Sequence, residues 1–544
     1  MKHISLDRPI PGFILVLLAL LLWGGEYVQR DLWSPDEARY ALISREMRTN
    51  SHWLIPYRQG EFYTHKPPLM FWLTNAGVAA GLPERVAARV PSFLGALMAL
   101  WAITRLAARW RSPRTSWWVA LLLPTSFLFW NKGGFGQIDA LLCGLEMMGL
   151  YLLFTSSPLH PLRRIPAYLF FGLAILAKGP VGLLVPLFVY LIATWAAGDT
   201  KDMRGWHWLW GPLLALALPG LWLFAAWRSG APDGFFTELL FKQNIGRVAG
   251  EFGGHTQPWY YFLLYFPVDF LPWTPLLPLA VIALAQRDET LKNLRRLLGW
   301  ILAVVLFFSL SESKRNLYIL LAYPAAALLI ASSIPNWSTV SAALLKRSRL
   351  AALAIAILAA LGLSVLPFLP HEDVHGWAVA PSVTAFVVGI ILAIRAAHAE
   401  PQSPRWLAQL ALATLVAFAG VGAGVYREFN DAKTPHAIIP IAQHTLPEGN
   451  YVTLYKEQGE IISLYAQRPG RMADDPDELR ALLDAQDADL IVTAAEHLDE
   501  VQALIGANHP HGFFSTGSKD KVWIAPLQTA PHSPHSPAPH SGAG

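Results

Sequence analysis

The chain has 544 residues, 54% hydrophobic and only 15% charged, with 22 tryptophans and a formal net charge of +4. A soluble chain of this length carries roughly a quarter charged residues. The deficit is concentrated in repeated apolar runs of about 20 residues, each long enough to cross ~30 Å of hydrocarbon. Those runs identify an all-α polytopic membrane protein and exclude a β-barrel, whose strands alternate; the small charge excess gives no footing for nucleic acid. The one cysteine, Cys143, lies inside an apolar run, so no intramolecular disulfide is available and the thiol reads as packing.

Residues 10–25 form the first expected span. It reads as retained rather than cleaved, because Trp23-Gly24-Gly25 runs straight into polar sequence with no small-residue cleavage site. The first long polar stretch follows, WSPDEARYALISREMRTNSHWLIPYRQGEFYTHKPP over 33–68. Ser34-Pro35-Asp36-Glu37 reads as a helix start, with Ser as N-cap, Pro at N1 and Glu at N3 reaching back. Tyr40, Ile43 and Met47 then recur at helical spacing opposite Glu37, Arg45 and Arg48, which suits a helix lying on the membrane surface. Lys66 stands before Pro67-Pro68 and an apolar run, which places it at a helix N-terminus, where amide donors favour an anion. The segment reads as a binder of a lipid-linked phosphate at the bilayer edge.

Further spans are expected near 88–108, 116–132, 135–154, 165–177, 180–197, 207–228, 259–285, 298–312, 317–334, 350–370, 376–397 and 405–425, about thirteen in all. Alternate short loops hold the arginine and lysine clusters, beginning with Arg105, Arg109, Arg111 and Arg114. The other side holds only Lys132, Lys178, Lys314 and Arg315. The positive-inside rule then puts the N-terminus in the cytoplasm and the C-terminal region outside. Two long outer loops, 26–87 and 229–258, carry interfacial helices; the second interleaves Phe235, Phe236, Leu239, Leu240 and Ile245 with Glu238, Lys242 and Arg247. The membrane region ends near 426. Residues 427–528 read as a small α/β domain, with VTLYK, LIVTA and KVWIAPL as strands and GEIISLYAQ and DPDELRALLDA as helices. Residues 529–544 read as a disordered tail whose histidines have no ligand spacing.

With this sidedness, Asp36, Arg39, Arg58, His65, Lys66, Lys132, Asp139, Lys178, Arg247, Lys314 and Arg315 all fall at one face of the bilayer. Charges at membrane depth cost at least ~2.5–3.5 kcal/mol each, so a set of them needs mutual pairing or a ligand. Arg45, Glu46, Arg48 and Arg315 read as snorkelling or salt-bridged structural charges, and Asp269 and His255 have no assigned role. Arg39, Lys66 and Arg247 suit a phosphate or pyrophosphate leaving group. Asp36 or Asp139 suits a general base if the acceptor is a hydroxyl; with an ionised acceptor, Asp36 would orient groups instead.

WSPDEARYA, REM, WLIP, YTHKPPL, QIDALL, LAKGP and SKRNLYIL closely resemble the lipid-carrier-dependent glycosyltransferases of the aminoarabinose transferase type. Those belong to the GT-C superfamily and are distantly related to protein O-mannosyltransferases. The resemblance covers residues 12 to about 425. It implies a thirteen-helix inner-membrane enzyme with a periplasmic C-terminal domain, moving a sugar from undecaprenyl phosphate to lipid A or a related periplasmic acceptor. It also implies a functional set of Asp36, Arg39, Tyr63, Lys66, Asp139, Lys178, Arg247, Lys314 and Tyr318. Some family members hold a divalent metal at two positions that here are His65 and Asn244; an imidazole and an amide make a poor zinc site. A protein O-glycosyltransferase, an O-antigen-modifying transferase and, outside the class, a lipid-linked-sugar flippase are the alternatives. A flippase calls for charges on both faces or buried mid-span.

Overall fold

The computed structural model of the chain describes residues 6–157, 160–240, 256–365, 380–398, 400, 402–446, 450–457, 459–485, 489–506, 509–516 and 519–525. The chain divides into two compact units: one of residues 1–32, 43–58 and 62–430, the other of residues 33–42, 59–61 and 431–544.

The first unit is helical. Among the described residues, six helices are long and apolar enough to cross a membrane: Gly12–Gln29, Glu84–Trp110, Ile138–Thr155, His207–Arg228, Asn316–Thr339 and Arg405–Glu428. Others are shorter because proline or glycine interrupts them. The expected span at 116–132 is two helices, Pro113–Leu122 and Phe127–Gly134. The one at 259–285 is broken around Pro272 and Pro275 into Tyr261–Asp269 and Leu276–Ala285. Small residues set the tightest packing. A Cβ on Gly95 would lie 2.2 Å from the Ala140 carbonyl oxygen, and one on Gly144 would lie 2.2 Å from that of Gly95. Helices Val90–Trp110 and Ile138–Thr155 therefore meet backbone to backbone, which carries Asp139 against its neighbours. Buried Arg89 donates to the carbonyls of Arg30 at 2.7 Å and Asp31 at 2.6 Å, satisfying acceptors just beyond the first helix. Arg45 and Arg48 both pair with Glu84, the structural use expected of them.

The second unit holds a five-stranded sheet. Strands Gly470–Ala473, Val452–Tyr455 and Leu490–Ala494 run parallel; Lys519–Ile524 and His511–Thr516 follow antiparallel. Val452–Tyr455 is buried along its whole length, as a strand covered on both faces must be. Helices Ile438–Thr445, Glu460–Ala466, Pro476–Asp484 and Leu498–Ile505 belong to the same unit. Strands Gly470–Ala473 and His511–Thr516 give no alternating signal in the sequence.

Helix Asp36–Thr49 begins near the expected start. The Glu37 carboxylate, however, accepts from the amide of Trp33 at 3.1 Å, one residue earlier than the expected cap. Tyr40, Ile43 and Met47 are buried, and so is Glu37.

Candidate functional site

A cavity of about 450 Å³ lies within the first unit, lined by Thr64, His65, Lys66, Lys178, Trp222 and Tyr318 among apolar neighbours from helix His207–Arg228 and from the region of residues 307–318. Its cations arrive by two local rules. Lys66 precedes Pro67-Pro68, and helix Leu69–Ala79 begins immediately after them, so the residue stands just ahead of that helix's first turn. Its Nζ donates to the His65 carbonyl at 3.1 Å. Lys178 is the last residue of helix Ile165–Lys178, where a cation complements the dipole. Gly179 ends that helix at φ +83°, a left-handed backbone that glycine adopts without strain.

Asp139 lies in the first turn of helix Ile138–Thr155, the dipole's favourable end for a carboxylate, and is buried. It pairs with Lys178. The Lys178 ammonium also lies 4.5 Å from the centre of the Tyr318 ring, a cation–π contact. Asp139, Lys178 and Tyr318, drawn from three separate stretches, are thus one cluster, of which Lys178 and Tyr318 line the cavity.

Lys314 belongs to the neighbouring loop but does not line the cavity. Its ammonium donates to the carbonyls of Gln257, at 2.9 Å, and Ser311. Burial holds its pKa below the ordinary lysine value, with Glu312 opposing that shift. Tyr63 is buried and does not line the cavity; its ring lies 5.0 Å from His65, which does, and 6.2 Å from Phe71. Asp36 and Arg39 belong to the second unit: Arg39 Nε donates to Glu460 Oε1 at 2.8 Å, and its Nη1 lies 3.9 Å from Asp36 Oδ1. Arg247, together with Asn244 and His255, lies outside the described residues.

His65 has the Tyr63 ring and the Lys66 ammonium beside it, and no three His, Cys, Asp or Glu side chains gather into a metal-binding group among the described residues.

Three polar residues near the cluster were not singled out or were left without a role. Glu146 is buried two turns along from Asp139 on the same helix. Asp269 is buried and accepts from Asn316 at 3.2 Å. Glu146 and Asp269 carry a visible signal, an acid inside an apolar run; Asn316, an amide in a polar loop, carries none.

Residues 65–223 match the family described as dolichyl-phosphate-mannose-protein mannosyltransferase. The undecaprenyl phosphate-α-4-amino-4-deoxy-L-arabinose arabinosyl transferase of Erwinia tasmaniensis is 29% identical over 449 residues, 78% of this chain and 78% of that one. Its counterpart in Aeromonas salmonicida is 28% identical over the same shares. The crystal structure of ArnT from Cupriavidus metallidurans bound to undecaprenyl phosphate superposes with a TM-score of 0.74 at 23% identity, over 94% of this chain and 97% of that one. The resemblance read from the motifs is borne out, and the fold is of the same type.

Proposed function

We propose that this chain is a membrane glycosyltransferase that moves aminoarabinose, or a similar sugar, from undecaprenyl phosphate to lipid A or a related periplasmic acceptor. The observation that carries the reading is the convergence of Lys66, Lys178 and Tyr318 on one cavity among membrane-capable helices, in a chain similar to transferases of that donor. Lys66 and Lys178 face the phosphate that departs when the sugar–phosphate bond breaks, and their charge offsets what develops on the leaving oxygen. Arg39, Arg247 and Tyr63 are assigned to donor binding, and Lys314 holds the loop that carries Tyr318. Asp139 fixes the Lys178 ammonium. Asp36 takes the proton if the acceptor is a hydroxyl, and orients the acceptor if it is a phosphate.

In this reading the membrane part spans the inner membrane about thirteen times over residues 1–426, with the N-terminus cytoplasmic. The outer loops are 26–87 and 229–258, and residues 427–528 form a periplasmic α/β domain. The match of residues 65–223 to protein mannosyltransferases favours one second reading, a protein O-glycosyltransferase using the same class of donor. Mass spectrometry of lipid A from matched knockout and complemented cells separates the two. A sugar-sized mass increase that depends on the gene supports the first reading. Unchanged lipid A alongside newly glycosylated protein replaces it with the second.

A further inference from the structure

Asp269 stands where a charge is expensive, buried at the end of the short helix Tyr261–Asp269. Its helix is locked against the segment that follows Asn316: Tyr323 stacks on Phe266 at 5.2 Å and on Phe270 at 5.6 Å. In that setting Asp269 Oδ1 accepts a hydrogen bond from Asn316 Nδ2 at 3.2 Å, with the Tyr323 hydroxyl and the Lys132 ammonium also bearing on its carboxyl. Asn316 opens the 3-10 turn Asn316–Leu321, and Tyr318 lies two residues further on, in the cavity wall and under the Lys178 ammonium. Ser311 and Ser313, earlier in the same loop, also line the cavity.

We infer that Asp269 is a positioning residue for the donor cavity, acting through Asn316 on the loop that places Tyr318 beneath Lys178. A buried carboxylate takes a hydrogen bond from an amide more strongly than a neutral acceptor does. The turn is therefore pinned at its first residue, and the cation–π contact inherits that register. This inference rests on the cavity being the site of the lipid-linked donor. Asp269 touches no reacting atom and has no part in the bond exchange.

The test uses the full-length protein in nanodiscs, with undecaprenyl-phosphate-linked aminopentose as the varied substrate and lipid A held saturating, then the reverse. Asp269→Leu and Asn316→Leu are each expected to raise the donor KM about tenfold or more, because small misplacements of binding groups are costly, while leaving the lipid A KM unchanged. The double variant is expected to be no worse than either single one, since both remove the same bond. Asp269→Asn, which keeps an acceptor oxygen, is expected to stay within about threefold of the parent. An unchanged donor KM in the leucine variants, additive losses in the double, or equal losses in both KM values would overturn the assignment. If Asp269→Leu does not fold, Asn316→Leu and Asp269→Asn decide it. Full transfer by Lys66→Ala or Lys178→Ala would instead remove the donor-cavity reading, whatever Asp269 does.

Discussion

Lys66 carries the largest demand on a single side chain, since it joins a cavity wall to the N-terminus of helix Leu69–Ala79. Lys66→Ala is expected to lower transfer about 100-fold or more, as the loss of one group that stabilises developing charge does elsewhere. The protein should still fold, which monodisperse elution in detergent would check. Asp36 sits under a different constraint, being already 3.9 Å from a guanidinium that Glu460 holds. With a phosphate acceptor, Asp36→Asn is expected to cost no more than about tenfold in kcat. A loss of about 10²–10⁴ would be the mark of proton removal from a hydroxyl. Lys66, Asp139 and Lys178 were legible in the sequence because each breaks an apolar run or abuts one. The direction of the Lys314 ammonium was not, because its partners are backbone carbonyls contributed by Gln257 and Ser311. Sequence gives no sign of which carbonyls a fold will leave needing a donor.

Helix starts illustrate how closely local chemistry can be read, and where it slips. Ser34-Pro35-Asp36-Glu37 and Asp475-Pro476-Asp477-Glu478 are the same signal, and both open helices. In both, the glutamate bonds the amide one residue before the expected one, Trp33 at 3.1 Å and Asp474 at 2.7 Å. Asp475 itself accepts from Asp477 N at 2.9 Å and Glu478 N at 2.8 Å, so Asp475→Ala is expected to destabilise its helix by about 1 kcal/mol. Faster hydrogen exchange over residues 476–484 would show it. Helix contacts were less legible than helix starts: glycines at 95 and 144 lie in ordinary apolar sequence, yet each meets opposing backbone at 2.2 Å where a Cβ would stand. Gly95→Ala is expected to cost about 1–3 kcal/mol through overpacking, read as a lower melting temperature in detergent. The broken spans follow from visible prolines; the exact breakpoints do not, since tertiary packing decides which peptide gives way.

At the scale of the whole chain, the arrangement of arginine and lysine among the short loops sets the sidedness proposed above. Cys143 is buried, so the protein is already silent to membrane-impermeant thiol reagents. Against that background Asp499→Cys, on a helix of the second unit, is expected to label in intact spheroplasts and Arg109→Cys only after lysis. The opposite pattern would invert the topology. Family-level architecture was legible because motif order survives at low identity. The long-range pairings were not: Arg39 and Glu460 are 421 positions apart, and no periodicity links them.

That pairing bears on how the protein is made. Residues 33–42 and 59–61 share a compact unit with residues 431–544, so an early stretch of the nascent chain must wait for almost all the rest before its companions exist. During synthesis Arg39 leaves the ribosome long before Glu460, and its native setting is completed only after the last helices have been inserted. A stop codon near residue 430 would therefore strip partners from residues 33–42 and 59–61, rather than simply remove an appendage.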